Sequence, residues 1–79
     1  MERFPSVKAS TPLAVLMREP LNYRIARQSG SHRTLVSENR PDHPVLFSFH
    51  GSATVSPFWV RRILVGTVGL TEREARELL

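Results

Sequence analysis

The chain has 79 residues, no cysteine, and a formal net charge of +4 set by ten arginines and one lysine against seven acids. A chain of this length is expected to form one domain, residues 1–79, with a thin core worth ~3–5 kcal/mol unless a partner adds to it. Disulfide frameworks, thiolate metal sites and cysteine nucleophiles are excluded, and the arginine excess suits either an anionic partner or simply an arginine-rich soluble domain.

Residues 1–7 carry no periodic pattern and read as a loosely attached lead-in. Leu13-Ala14-Val15-Leu16-Met17 is too short an apolar run for a signal segment or a membrane span, so a cytoplasmic protein with no membrane partner is expected. Thr11-Pro12 gives a helix start, a hydroxyl cap followed by proline at the first helical position. Leu13, Leu16, Met17 and Leu21 then fall on one face of a helix over 11–21. Pro20 ends or distorts the last turn, and Asn22 suits a left-handed cap.

Three strands are expected next, over 23–28, 32–37 and 45–50, the last alternating Val45, Phe47 and Phe49 on one face. Ser29-Gly30-Ser31 turns the first into the second. Pro41 and Pro44 keep the loop before the third irregular. Ser56-Pro57 repeats the cap-plus-proline signal and opens a helix running through Val68, with Val60, Ile63 and Leu64 on its buried side. Gly69 closes it with Leu70 packing back. Thr71 and Glu74 then form a capping box for a short final helix ending at Leu79. The fold class is α+β, in the order α-β-β-β-α plus a short C-terminal helix. Its three-stranded antiparallel sheet carries the helices on one face.

Pairing register decides which side chains share a face. Setting Gln28 opposite His32, Ile25 opposite Leu35 and Leu35 opposite Phe47 gathers Ile25, Leu35 and Phe47 into one apolar row. The same register puts Gln28, His32 and His50 in a row on the uncovered face, which Arg24 and Thr34 share.

Histidine is the side chain that ordinarily exchanges a proton near neutral pH, and RNA offers a reaction that needs this. A base removes the 2′-hydroxyl proton, the oxygen attacks the adjacent phosphate, and an acid protonates the leaving oxygen. Backbone N–H groups of Gly30 and Ser31, with Arg33 or Arg27, would hold the phosphate charge. The plain alternative is a surface histidine after a turn. His50 is either a second proton-transfer partner or an exposed strand-end residue. His43, in a proline-flanked loop, has neither role. The three histidines match no metal-ligand spacing, and the chain has no phosphate-binding glycine loop and no nucleophile elbow. Arg61 and Arg62 suit phosphate contact or a solvated helix face. Phe58, Trp59 and Tyr23 suit base stacking, or more ordinarily core or interface.

Several motifs in fixed order resemble the HicA-type (YcfA-like) toxins of bacterial type II toxin–antitoxin systems. Leu21-Asn22-Tyr23 stands for the family's Leu-Gly-aromatic, with Asn22 in place of glycine. Arg27-Gln28-Ser29-Gly30-Ser31-His32-Arg33 is similar to its Arg-Gln-x-Gly-Ser-His motif. Ser56-Pro57, Val60-Arg61-Arg62-Ile63-Leu64 and Gly69-Leu70-Thr71 are similar to its last helix and Gly-Leu-Thr ending. The resemblance implies a fold like a double-stranded-RNA-binding domain (dsRBD-like) and an mRNA-cleaving, metal-independent endoribonuclease. His32 would be its single catalytic residue, no cofactor would be needed, and a HicB-type antitoxin would neutralise it. Arg24, Arg27, Gln28, Gly30, Ser31, Arg33 and His50 are then the expected RNA-binding residues. Read without the resemblance, the same residues also suit an RNA-binding module that performs no chemistry, or a module that binds only an acidic protein.

Overall fold

The structure, a computed structural model, describes residues 4–79. Their elements run β1 (Val7–Lys8), α1 (Ser10–Met17), β2 (Arg24–Ser29), β3 (His32–Val36), β4 (Val45–Phe47), β5 (Thr54–Val55), α2 (Pro57–Arg61) and α3 (Glu72–Leu78), with α2 continuing as a π-helix over Arg62–Thr67. This is a small α+β protein: a three-stranded antiparallel sheet in the order β2-β3-β4, and a separate pairing of β1 with β5. No helix among the described residues is long and apolar enough to cross a membrane.

The β1–β5 ribbon is a correction. The lead-in, of which residues 1–3 lie outside the described residues, is not loose from Phe4 onward. The Phe4 ring is buried, Val7 pairs with Val55, and Lys8 pairs with Thr54. Two-residue strands have no period to detect, so only the tertiary pairing reveals them. Helix α1 starts at Ser10, one residue ahead of the Thr11-Pro12 signal and within the backward extension that Lys8 to Ser10 allow. Ala9 N–H donates to the Ala53 carbonyl at 2.8 Å and Ser10 N–H to that of Gly51 at 3.2 Å. Main-chain carbonyls thus satisfy donors that a side-chain cap would otherwise take.

Helix α1 ends at Met17, before Pro20, and Asn22 adopts the left-handed conformation expected of it, φ +52°. Leu16 and Leu21 are buried as the spacing predicts, and Val15 joins them. Met17, on the last helical position, stays exposed.

Ser56 caps α2 through its hydroxyl, with Pro57 in the first turn. The expected regular helix to Val68 instead widens, and Val68 N–H reaches back to the Ile63 carbonyl at 3.0 Å. Gly69, at φ +88°, closes it, and Leu70 N–H bonds to the Leu64 carbonyl at 3.1 Å with its side chain buried. The capping box of α3 is present in both directions: Glu74 N–H to Thr71 Oγ1 at 3.1 Å, and Thr71 N–H to Glu74 Oε1 at 2.9 Å.

One core unites these parts. Leu16, Leu21, Leu35, Val45, Phe47, Val55, Val60, Leu64 and Val68 are all fully buried. The sheet contributes Leu35, Val45 and Phe47 from one face, while Leu46, between Val45 and Phe47, is 76% exposed. One sheet face is therefore covered and the other open.

The register departs from expectation twice. Ile25 pairs with Leu35 as expected, but an extra residue at Ala26 bulges out. Arg27 then meets Thr34, Gln28 meets Arg33 and Ser29 meets His32. The bulge lets the hairpin close on Gly30-Ser31. Gly30 sits at φ +60°, and no positive angle occurs at Ser31, the pattern of a tight II′ turn matched to strand twist. On the other side, Leu35 faces Val45 rather than Phe47, and Arg33 faces Phe47. Ser37 does not pair with Val45. It is buried, its hydroxyl donates to the Leu21 carbonyl, and it accepts from Asn39 N–H at 3.2 Å. A two-residue shift preserves the faces, so the row on that side is Ile25–Leu35–Val45, of which Leu35 and Val45 are buried while Ile25, expected in the core, is exposed on the edge strand.

A candidate nucleic-acid interface around His32

His32 opens β3 directly after the Gly30-Ser31 turn and is exposed. Ladder partners point to the same face, and alternate residues of a strand share one. His32, Thr34 and Val36 therefore lie on the open side, with Ser29, Arg27 and Arg24 opposite them on β2 and Leu46 opposite Thr34 on β4. The bulge is what places Arg27 there. In a regular ladder Arg27 would meet Arg33 on the covered side.

The expected neighbours of His32 are only partly assembled. Arg24 and Arg27 share its face and are exposed. Gln28 does not, because the bulge turns it to the side of Arg33, and its Nε2 donates to the Gly30 carbonyl at 3.0 Å. Arg33 likewise points to the covered side, where its Nη1 donates to the Phe49 carbonyl at 3.1 Å. It fastens the hairpin to the chain beyond β4. His50 is not opposite His32. The ladder stops at the Arg33–Phe47 pair, and the exposed His50 sits in a turn closed by Ala53 N–H to its carbonyl at 2.9 Å. The register is the cause: with Arg33 opposite Phe47, the residue level with His32 is Ser48 and not His50. Phe49 packs edge-on against Phe47, centroids 5.6 Å apart, and against Trp59 at 6.5 Å. Gly30 and Ser31 keep their places at the turn, beside His32 in the chain.

His43 is a joint between loop and helix end. Its Nδ1 lies 2.9 Å from the Thr67 carbonyl, its own carbonyl accepts from the Tyr23 hydroxyl at 2.7 Å, and Arg40 Nη1 donates to the Val68 carbonyl at 3.0 Å. Burial, partly offset by the Arg40 charge, pushes the Tyr23 phenol up from its ordinary value. Among the described residues no group of three or more His, Cys, Asp or Glu is arranged to hold a metal ion.

Charge is unevenly shared. One ion pair joins α2 to α3, Arg61 to Glu72 at 2.8 Å, and two lie along α3, Arg73 to Glu77 at 3.3 Å and Arg76 to Glu72 at 3.8 Å. None of them involves Arg24, Arg27, Arg33 or Arg62. Arg61 and Arg62, equivalent in the sequence, thus separate. Arg61 is tied to Glu72, while the Arg62 guanidinium lies 5.8 Å from the centre of the Trp59 ring. Tyr23 is core, whereas Phe58 and Trp59 are 64% and 45% exposed. Leu46 was not legible as a site residue, and nothing in the sequence separated Arg62 from Arg61 as the arginine left for a ligand. Both depend on β4 being the sheet edge beside α2, which no local spacing encodes.

These features define a small α+β protein with an open, arginine-bearing sheet face and an exposed histidine at its turn. Comparison with protein-family models, with curated proteins and with solved structures gives no match to this chain.

Proposed function

We propose that the protein is a ribonuclease toxin of the HicA type, with a dsRBD-like sheet and helix arrangement, that cleaves mRNA in the cytoplasm. The observation that carries the reading is the position of His32: exposed, fixed by a tight turn, and on one face with Arg24 and Arg27, neither of which is paired with an acid among the described residues. The ordered motifs around Gly30-Ser31-His32 supply the rest of the support.

In this reading Arg24 and Arg27 draw the RNA backbone onto the open face, and the turn's N–H groups bind a phosphate oxygen. His32 acts either as the base that takes the 2′-hydroxyl proton or as the acid that returns one. The new bond joins the 2′-oxygen to phosphorus, and the bond to the 5′-oxygen breaks. That oxygen leaves with a proton, giving a 2′,3′-cyclic phosphate and a 5′-hydroxyl. Water on the open face completes the other transfer. The protein's own side chains carry these steps, and no metal is assigned a role in them. A HicB-type antitoxin neutralises the protein by covering the same face.

Induced expression and cleavage of a defined RNA test this. Because His32 is exposed, His32→Ala is expected to leave the circular dichroism spectrum unchanged while lowering cleavage ~10²–10⁴-fold. Undiminished cleavage or growth arrest overturns the assignment. Activity is expected to persist in excess chelator, and its loss would contradict the metal-free step. The unpaired arginines also support a second reading, an RNA-binding module without chemistry, which retains RNA yet leaves it intact at high protein concentration.

A further inference from the structure

The free edge of the sheet carries a second feature that the ribonuclease reading does not use. Among the described residues strand β4 has no partner on its outer side, and a groove runs there between β4 and the helix α2 with its π-helical continuation. Leu46, Ser48, Phe49, Trp59 and Arg62 line it. Phe58 stands edge-on to Trp59, centroids 5.3 Å apart and planes at 87°, and Phe49 approaches Trp59 at 65°. Neither ring stacks flat on the indole. The Arg62 guanidinium sits near it, and among the described residues it forms no ion pair and no carboxylate belongs to the lining.

One end of the groove, at Leu46, lies on the same sheet face as His32. Leu46 pairs with Thr34, which shares the His32 face, and Ser48 stands one step beyond the last ladder pair, alongside His32. Strand geometry puts the Leu46 position about 8 Å from that of His32, two residues along and one strand across. An apolar floor, a half-exposed indole and an uncompensated guanidinium fit a flat, electron-rich ring attached to a phosphate. An acidic peptide would meet the charge but leave the indole without a stacking partner.

We propose that this groove is a subsite for an unpaired RNA base flanking the phosphate handled by His32, the base stacking on Trp59 and Arg62 contacting its phosphate. The proposal rests on the ribonuclease reading and makes the substrate single-stranded at the cleavage point.

Trp59 is the chain's one tryptophan, so its emission reports on the groove in the unaltered protein. The probes are a single-stranded 2′-O-methyl RNA oligomer, which lacks the attacking hydroxyl, an abasic oligomer of equal length and charge, and a 2′-O-methyl duplex. The single strand is expected to quench the indole saturably, and the other two are not. Trp59→Ala should weaken single-strand binding by about tenfold, and Trp59→Phe should recover part of the loss. Equal response to the abasic oligomer, undiminished binding by Trp59→Ala, or an indole that responds only to an acidic peptide would overturn the subsite. Single-strand quenching in a protein that cleaves nothing would keep the subsite and remove the ribonuclease reading. His32-dependent cleavage without quenching would remove the subsite alone.

Discussion

Glu74 acts twice at the start of α3: its backbone N–H donates to the Thr71 hydroxyl oxygen, and its carboxylate accepts from Thr71 N–H. The bond its carboxylate accepts from Thr71 N–H, and after it the interaction with the Thr71 side chain, hold its carboxyl below the ordinary value against a small desolvation, with a smaller assist from Arg40. The folded state therefore binds this proton less tightly than the unfolded chain does. The stabilisation is complete above the unfolded value of ~4.3 and is lost as pH falls through the lower folded value. Melting temperature should consequently fall more between about pH 5 and about pH 3 in the native protein than in Glu74→Gln. Equal slopes would show that the capping bond does not discriminate between the two protonation states. Tyr23 offers a second single-atom test. Tyr23→Phe removes the donor to the His43 carbonyl and should cost ~1 kcal/mol in urea denaturation, with RNA cleavage unaffected because Tyr23 lies in the core.

At the scale of elements, the β2–β3 turn is decided by one backbone angle. A Cβ added at Gly30 would meet nothing within 4 Å, so Gly30→Ala suffers only from φ +60°. It should destabilise by ~1–2 kcal/mol, the ordinary cost of a left-handed alanine. Gly51→Ala, equally uncrowded but without a positive φ, should change the melting temperature far less. What was legible in the sequence follows the same division. The Thr71–Glu74 box, Ser56-Pro57, Asn22 and Gly69 were readable because each signal spans only a few residues and acts locally. The bulge at Ala26, the shift of Leu35 onto Val45 and the β1–β5 ribbon were not. Each is settled by a distant partner, such as the Leu21 carbonyl that claims Ser37. His32 still reached the open face because the β3–β4 error was an even number of residues. Gln28 changed sides because its error was odd.

Across the molecule's described residues, acids and arginines pair within α3 and between α3 and α2, while Arg24 and Arg27 on the open sheet face take part in no ion pair. If RNA lies on that face, affinity should fall with salt, each lost phosphate contact lowering the log–log slope by ~0.7 for a single strand. Arg24→Ala and Arg27→Ala should each reduce the slope by about that amount. Arg33→Ala, whose side chain is committed to the Phe49 carbonyl on the other face, should lower thermal stability and leave the slope nearly unchanged. A larger slope change from Arg33 than from Arg27 would mean that RNA approaches from the opposite side.

The hairpin also contains slack. Between Ile25 and Arg27, β2 spends two residue steps where β3 spends one, so Ala26 is a residue more than the ladder needs. Removing it would leave Arg27 facing Thr34, Gln28 facing Arg33 and Ser29 facing His32, now in an unbroken ladder. This is therefore the one place in β2 where the chain can lose a residue without reassigning any side chain to a new face. The loss would remove local twist rather than chemistry. A deletion elsewhere in β2 could keep the turn and the faces only if the bulge absorbed it. Length variation in this strand should accordingly gather at Ala26, while Gly30 keeps its distance from His32.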